Sequence, residues 1–321
     1  MQDQFVFYET CYEEVKEEFI SAWCSSFDRE IPVEIFNWLF GSSSRNRIFI
    51  ARCQETKLIA GGYCLLPQKA CIRGQMQLSF LCNNVFTVPQ FRTFNIFVKL
   101  GRFALDRVSQ DGSLAIGIPN KLALPGHKRV GWHMSEPIKF VEINSDAIEL
   151  KNNTDIDIQD INTSELSLIS QFYSSVMDRM LFSIVKDERY IRWRYFERPE
   201  ISRTYYRKKI LKKGKIVGYL ILSYYHPGNK LHIIDLCTDS QDTLRYSLKF
   251  CNSLAKHLKA NCINMWGSPY FLKSLPEDSF LVTNDLSNLI IKDLKQTKGV
   301  NSSILNYFDD HSLVLGDNDV F

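Results

Sequence analysis

The sequence predicts an α/β fold of the mixed α+β kind, with helices on mixed sheets, repeated in two tandem domains. Three observations lead to this prediction. A strand passes through a turn into an amphipathic helix near residue 95, an apolar strand follows that helix, and the order of elements recurs later in the chain. With 321 residues, of which 45% are apolar, the chain is long enough to fill two cores.

The first observation is the segment Val85–Phe97. Val85–Val88 is β-branched and aromatic, Pro89 ends this strand, and a helix is predicted to begin near Asn95. The first backbone N–H groups of a helix have no internal partners and lie at the positive end of its dipole, so this turn is suited to a pyrophosphate. The apolar residues of the helix recur at helical spacing: Ile96, Phe97, Leu100, Phe103, Ala104 and Val108.

The second observation concerns the elements that follow. The helix is predicted to stop at Asp111-Gly112, and the apolar strand Leu114–Ile118 then runs into Pro119-Asn120. The segment Ala123–Trp132 comes next, and a further strand ends near Ile143. These elements complete the predicted first domain, residues 1–150.

The third observation is an internal repeat. A helix containing Asn37-Trp38 and the strands Arg47–Arg52 and Leu78–Leu81 are echoed at an offset of about 150 to 160 residues. The counterparts are a helix containing Arg192-Trp193 and the strands Arg203–Leu211 and Leu231–Leu236. The polar stretch Asn144–Ser164 is predicted to be a linker or an irregular edge, which divides the chain into domains of residues 1–150 and 151–321. Chance similarity of two α+β halves is the alternative.

The second copy lacks a phosphate-binding turn. Its strand is followed by Asp239–Thr243, which has neither glycine nor arginine, and acidic side chains repel a pyrophosphate. Asp242 is predicted to be the N-cap or a first-turn residue of a helix that runs to Leu258. We therefore expect a degenerate copy with a scaffold or substrate-recognition role. Its candidate substrate contacts are Arg194 and Tyr195, whereas Trp193 is better explained as a core residue.

The order Gln-x-Arg-Thr-Phe-Asn at Gln90–Asn95 resembles the Gln/Arg-x-x-Gly-x-Gly/Ala signature of the GNAT superfamily, the acyl-CoA-dependent N-acyltransferases. The segment from Pro119-Asn120 to Gly131-Trp132 is similar to a later part of that family's core, where a strand ends in Pro-Asn and a short helix carries Tyr-x-x-x-Gly-Phe. The resemblance implies two tandem GNAT-like domains, the first with the acyl-CoA site. Thr93 and Asn95 stand where the family has glycines, but Asn tolerates left-handed geometry and Thr can donate a hydroxyl.

The resemblance also implies roles for single residues. His127 occupies the position of a tyrosine that often protonates the departing CoA thiolate, and a histidine with a pKa of roughly 6.5 can act as acid or base; a purely structural histidine is the alternative. Asn83 and Asn84 lie where many relatives carry a Glu, so Asn84 is predicted to position the amine and Asn83 to contact the substrate, unless the pair only shapes a bulge. The residues expected to bind coenzyme A are Phe86, Val88, Gln90, Arg92, Thr93, Phe94, Asn95, Ile96 and, along the pantetheine arm, Asn120.

As a whole, the chain resembles the two-domain GNAT proteins of bacterial surface-polysaccharide pathways. That resemblance implies transfer of a short acyl group, such as acetyl or hydroxyacyl, from acyl-CoA to a nucleotide-linked amino sugar. A dTDP-3-amino-3,6-dideoxyhexose is one such acceptor, and its amine would attack directly in a ternary complex. Two other classes stay open: an N-acetyltransferase of an antibiotic or peptide amine, and a catalytically silent GNAT-like binding protein.

Composition argues against several other classes. A net charge of +3 is too small for a nucleic-acid-binding surface. No apolar run reaches the roughly 20 residues that span a bilayer, and the N-terminus lacks a signal-peptide pattern, so we expect a cytoplasmic protein without membrane insertion. The nine cysteines show no Cys-x-x-Cys pair and no histidine at ligand spacing, which predicts reduced packing residues and no metal site.

Overall fold

A computed structural model of the chain describes residues 4–41, 45–144, 148, 155–275, 279–295 and 310–318. The chain divides into two units. The first consists of the described residues of Met1–Lys69, Gln77–Glu136 and Asn288–Asn306, and the second of those of Ala70–Met76, Pro137–Ser287 and Tyr307–Phe321. The two units are therefore not continuous stretches of sequence. Each contains segments from both sides of residue 150, the boundary predicted from the sequence.

The first unit is a mixed sheet with helices. Its strands are β1 (Phe5–Thr10), β2 (Arg47–Cys53), β3 (Ile59–Ile72), β4 (Gln75–Thr87), β5 (Leu114–Gly117), β6 (His133–Met134) and β15 (Ile290–Asp293). Its helices are α1 (Tyr12–Phe27), α2 (Val33–Phe40), α3 (Ile96–Val108) and α4 (Leu124–Val130), and a 3-10 turn, Pro89–Phe94, precedes α3.

The strands of this sheet lie in the order β1-β2-β3-β4-β5-β15-β6. β1, β2 and β3 pair antiparallel, whereas β4 and β5 are parallel, because α3 carries the chain back between them. On one face, the aromatic rings of Phe19, Phe40 and Phe86 meet edge to face between α1, α2 and β4. The apolar side of α3 is buried, as its helical spacing predicted.

The second unit repeats this plan. Its strands are β7 (Ile138–Ile143), β8 (Ile156–Asp160), β9 (Phe182–Ile184), β10 (Arg203–Lys212), β11 (Lys215–Tyr225), β12 (Lys230–Thr238), β13 (Cys262–Gly267) and β14 (Phe280–Ser287). Its helices are α5 (Leu166–Met177), α6 (Glu188–Ile191) with a π-helical turn, Arg192–Phe196, then α7 (Gln241–Leu258) and α8 (Pro269–Ser274).

The strand order of the second sheet is β14-β7-β13-β12-β11-β10-β8. β8, β10, β11 and β12 pair antiparallel, and β12 and β13 are parallel with α7 between them. A buried apolar cluster joins β11, β12 and β13 to α7 and includes Leu222, Ile233, Leu248 and Met265. β9 pairs with the end of β3, Ala70–Ile72, which belongs to this unit.

The repeat extends to a close backbone contact. A Cβ on Gly61 of β3 would lie 2.8 Å from the carbonyl oxygen of Phe86, and a Cβ on Gly218 of β11 would lie 2.9 Å from that of Cys237. In both sheets the strand that precedes the long helix therefore presses a carbonyl against a glycine of its neighbour. This shared detail favours a true repeat over chance similarity of two halves.

Each sheet also takes one strand from the other half of the sequence. In the first sheet β15 lies between β5 and β6, with Ile290 opposite Gly117. In the second, β7 lies between β13 and β14, with Met265 opposite Val141. Neither half of the sequence therefore completes its own sheet.

The predicted linker Asn144–Ser164 is only partly described, because residues 145–147 and 149–154 lie outside the described residues. Within it, β8 forms the edge strand of the second sheet, in agreement with the alternative of an edge. The prediction for Asp242 is confirmed: it lies in the first turn of α7, and Ser240 is the N-cap.

Candidate functional site

The candidate site lies where β4 and β5 separate. Their parallel pairing ends with Cys82 and Gly117. β4 continues to Thr87, whereas β5 ends at Gly117. Beyond Cys82 the edge of β4 that faces β5 is therefore not paired with it.

The backbone of β4 shows which N–H groups face this opening. The N–H of Val88 donates to the carbonyl of Ala60 on β3, at 3.0 Å. Since N–H directions alternate along a strand, the N–H of Phe86 lies on that same edge, and the N–H of Thr87 faces the opening. The Thr87 hydroxyl oxygen is buried and, within the described part of the chain, has no hydrogen-bond partner. Phe86 and Val88, two of the residues expected to bind coenzyme A, therefore turn their N–H groups toward β3, and the N–H of Thr87 between them faces the opening; the predicted contacts with coenzyme A stay predictions.

The turn after β4 exposes the side chains expected to meet a phosphate. Gln90, Arg92, Thr93 and Phe94 all lie on its outer surface. Phe91 instead points inward, where its ring meets that of Phe5 at 5.7 Å. This apolar contact anchors the turn to β1.

Asn95 makes the transition from turn to helix. Its φ of 59° is left-handed, a conformation that Asn adopts more readily than other non-glycine residues. The N–H of Lys99 donates to the carbonyl of Asn95 at 3.2 Å, so the N–H groups of Ile96, Phe97 and Val98 precede the first intrahelical bond. Asn95 therefore supplies the left-handed backbone conformation from which α3 begins.

Two arginines flank this helix start. Arg92 donates to the carbonyl of Ser26 at 3.0 Å, and Arg129 of α4 donates to the side-chain oxygen of Asn95. Arg102 of α3 in turn donates to the carbonyl of Arg129 at 3.0 Å. Both flanking arginines are exposed, so the positive end of the α3 dipole carries additional positive charge. Sequence reasoning missed Arg129, although the basic run His127-Lys128-Arg129 was a signal for it.

Asn83 and Asn84 are joined by a side-chain hydrogen bond near the end of β4. Asn84 has a left-handed φ of 46°. Its side-chain oxygen accepts from the indole N–H of Trp23 at 3.0 Å, and its amide donates to Asn83 at 3.1 Å. Asn83 also accepts from Asn46 at 3.1 Å and is 5% exposed. These bonds give both side chains partners inside the protein; the predicted substrate and catalytic roles, and the alternative of a bulge, stay predictions.

His127 lies in an aromatic cage. Its ring meets those of Tyr63, Phe97 and Trp132 with centroids 5.0–6.1 Å apart, and it is 3% exposed. Its Nδ1 has no hydrogen-bond partner among the described residues. Burial lowers the pKa of His127 to about 4, because the apolar surroundings disfavour the charged ring. A neutral imidazole is a poor proton donor, so this environment argues against the predicted acid role.

Asn120 is exposed after β5, and its side-chain oxygen accepts from the N–H of Ala123 at 3.0 Å. It therefore stabilises the turn that leads into α4. Its predicted contact with a pantetheine arm stays a prediction.

Arg194 and Tyr195, the predicted substrate contacts, are buried in the second unit at 2% and 1% exposure. Arg194 donates to the carbonyl of Gly316 at 2.6 Å, and Tyr195 donates to the carboxylate of Asp235 at 2.7 Å. The bond from Arg194 ties the segment 314–318 to the interior of the unit. Burial argues against substrate contact, because the π-helical turn directs both side chains inward.

The network around Asp235 includes a buried ion pair. Lys186 lies 2.8 Å from Asp235 and 3.9 Å from Asp317. Burial by itself lowers the pKa of Lys186, but the two carboxylates raise it above its ordinary value, so the ammonium stays charged. The pKa of Asp317 is raised by burial. Sequence reasoning missed this network, since its members lie up to 131 positions apart, from Lys186 to Asp317.

The described residues contain no group of three or more His, Cys, Asp or Glu side chains that could hold a metal ion. No helix in the described part of the chain is both long and apolar enough to cross a membrane. The nine cysteines are free thiols.

Comparison with solved structures identifies the fold. A GCN5-related N-acetyltransferase from Anabaena variabilis superimposes with a TM-score of 0.73 at 17% identity, covering 90% of this chain and 73% of that one. A probable N-acyltransferase from Enterococcus faecalis gives 0.71 at 12% identity, covering 90% and 72%. Saccharomyces cerevisiae N-myristoyltransferase with bound myristoyl-CoA gives 0.60 at 13% identity, covering 91% and 80%.

No protein-family model matches the sequence, and no curated protein is similar enough in sequence to match it. At these identities the structural likeness establishes the fold alone. The predicted fold class is confirmed: the chain has a mixed α/β fold of two tandem GNAT-like domains.

Proposed function

We propose that the protein is an acyl-CoA-dependent N-acyltransferase whose first unit binds acyl-CoA. The finer proposal, taken from the sequence resemblance, is that the acceptor is the amine of a nucleotide-linked amino sugar. The acyl group is short, such as acetyl or hydroxyacyl.

One observation carries the proposal: an open strand edge leads directly into a helix start flanked by cations. Thr87 offers an N–H at the opening between β4 and β5, and Asn95 begins α3 beside Arg92 and Arg129. A molecule with amides at one end and a pyrophosphate at the other fits this sequence of features. Coenzyme A has that structure.

In the proposed reaction a neutral amine attacks the thioester carbon, the C–N bond forms and the C–S bond breaks. The opening would hold the thioester in line with the amine, and N–H groups of β4 would stabilise the developing oxyanion. Because His127 is uncharged at neutral pH, water would protonate the thiolate, whose conjugate thiol has a pKa of about 8.5. Asn84 would position the amine, and the amine proton would leave through water.

A thermal-shift screen of acyl-CoAs is the first test, because a ligand that binds only the folded state raises its stability. We expect acetyl-CoA or a short hydroxyacyl-CoA to raise Tm. Nucleotide-linked amino sugars, aminoglycosides and peptide amines are then incubated with the stabilising acyl-CoA, and products are identified by mass spectrometry. Acylation of the aminoglycoside or peptide alone would contradict the amino-sugar acceptor. If no acyl-CoA binds, the proposal as a whole fails.

The location of the site is tested by Asn95→Asp. Asp keeps the left-handed turn available, but its carboxylate would neutralise Arg129 and repel the pyrophosphate. We expect CoA affinity, measured by isothermal titration, to fall about tenfold or more, which is at least about 1.4 kcal/mol. Ser253→Asp, which adds a carboxylate on the exposed side of α7, is the matched control and should leave the affinity unchanged. Equal affinities in both variants would mean that CoA binds elsewhere.

A further inference from the structure

We propose that the second unit has a ligand site of its own, at the divergence of β12 and β13, for a short uncharged chain that carries amide groups and an apolar portion. This inference does not rest on the acyl-CoA proposal for the first unit. It is carried by a cavity, by the open edge of a strand and by the charges at the cavity rim.

The site is a cavity beside the end of β12. The parallel pairing of β12 with β13 covers only Lys230–His232 and Cys262–Asn264, yet β12 continues to Thr238. A cavity of about 240 Å³ lies along this unpaired end, bounded by β12, the start of α7 and α8. This volume suits a small ligand or the end of a chain.

The strand supplies directed hydrogen-bonding groups. The N–H of Asp239 donates to the carbonyl of Val217 on β11, at 2.9 Å. Because N–H and C=O directions alternate along a strand, those of Leu236 and Thr238 point away from β11, toward the cavity. An open strand edge pairs best with amide groups spaced along an extended chain. The ligand is therefore expected to present both N–H and C=O groups.

The floor of the cavity is apolar in part. Met180, Leu236, Leu244 and Phe271 line it, and each of the four side chains is buried in the unit. A polar ligand without an apolar portion would leave this surface without a matching partner. The combination of floor and strand edge favours an amphipathic chain over a sugar or an inorganic ion.

The charges at the rim argue against a phosphate. Ser240 caps the start of α7 by accepting from the N–H of Thr243 at 3.3 Å, and Thr243 donates to the carboxylate of Asp239 at 2.8 Å. Arg179 donates to the carbonyl of Asp239 at 2.9 Å, so one cation and one carboxylate share the rim. Asp242 adds a second carboxylate in the first turn of α7, so the start of this helix attracts an anion only weakly. The ligand is therefore expected to be uncharged.

Two sources supply such a chain: a pantetheine arm and the blocked end of a peptide. Both have amides on an extended backbone, so the test uses D-pantetheine and N-acetyl-Ala-Val-methylamide as separate probes. Hydrogen exchange followed by mass spectrometry on the full chain reports the site directly, because amides 233–240 can be distinguished from those of β4. CoA serves as the charged comparison.

We expect at least one neutral probe at millimolar concentration to slow exchange in residues 233–240 at least threefold, whereas CoA leaves this segment unchanged. The probe that protects identifies the source. Ser274→Phe places a ring in the cavity and should lower the affinity for the protecting probe at least tenfold. Ser253→Phe, on the exposed side of α7, should change that affinity less than twofold.

Two results would overturn the inference. The first is unchanged exchange at 233–240 in the wild-type chain with both neutral probes, a measurement that needs no variant to fold. The second is protection of this segment by CoA equal to that by D-pantetheine, which would contradict the assignment of an uncharged ligand. Failure of CoA to bind β4 and α3 would bear only on the proposed acyltransferase function.

Discussion

The substitution His127→Phe distinguishes two possible roles of His127: an acid catalyst, or an uncharged residue of the core. In its aromatic cage the pKa of His127 is lowered to about 4 from an ordinary 6.5. Between these two values the unfolded chain binds a proton that the folded chain does not. The stability that the neutral ring contributes is therefore fully present above about pH 6.5 and is lost as the pH falls toward 4.

The magnitude follows from the two pKa values. At about 1.36 kcal/mol per pH unit, the gap between 6.5 and about 4 corresponds to about 3 kcal/mol of unfolding free energy. About 2 kcal/mol of this is lost by pH 5. His127→Phe keeps a ring of similar size but cannot titrate. Between pH 7 and pH 5 the unfolding free energy of the variant should therefore fall by about 2 kcal/mol less than that of the wild type.

Urea unfolding at both pH values, followed by tryptophan fluorescence, measures the difference between wild type and variant. His232 and His311 also have pKa values lowered to about 4 by burial, but they are present in both proteins and cancel in the comparison. A histidine ring labelled with ¹³C at Cε1 gives an independent reading, since the resonance that the variant loses belongs to His127. Its titration midpoint should lie near pH 4.

The two roles of His127 also predict different effects of the substitution on kcat. Loss of a general acid costs about 10²–10⁴ in kcat, whereas a neutral core residue should leave kcat within about threefold, provided that the variant folds. A ring that titrates near pH 6.5, an unchanged pH dependence of stability, or a large loss of kcat in a folded variant would refute the reasoning.

Two further predictions concern the network in the second unit. Gly316→Ala would place a Cβ 2.4 Å from the hydroxyl oxygen of Tyr195, so we expect a loss of about 1–3 kcal/mol in urea unfolding; a change below about 0.5 kcal/mol would show that the segment can move away. Asp235→Asn removes the closest carboxylate of the buried Lys186 and should cost about 3–5 kcal/mol. The exposed Asp157→Asn is its control, and equal effects of the two substitutions would contradict the ion-pair argument.

Much of the fold could be predicted because it is recorded in local patterns. Apolar spacing predicted α3 to begin near Asn95, and the helix after Asp242 was predicted to run to Leu258; the structure confirms both. The repeat could be recognised because both copies keep the same order of helices and strands. Such patterns depend on neighbours within a few positions, and these are the contacts that a sequence shows directly.

Site details were predicted less well, because they depend on which way a side chain or an N–H group faces. Phe86 and Val88 lie on the strand from which a donor was expected, but the alternation along β4 turns the N–H of Thr87 to the opening. Arg194 and Tyr195 could be surface or core residues of a helix. A π-helical turn places both inside, and no local signal predicts that turn.

By itself, the sequence determined the class of fold, the repeat, the strand-turn-helix unit and the absence of a basic turn in the second copy. Only the tertiary structure decided that β15 completes the first sheet and β7 the second, that Arg129 bonds to Asn95, and that His127 is buried. The physical reason is separation along the chain. Ile290 pairs with Gly117 across more than half of the protein, and local periodicity carries no information about contacts at that distance.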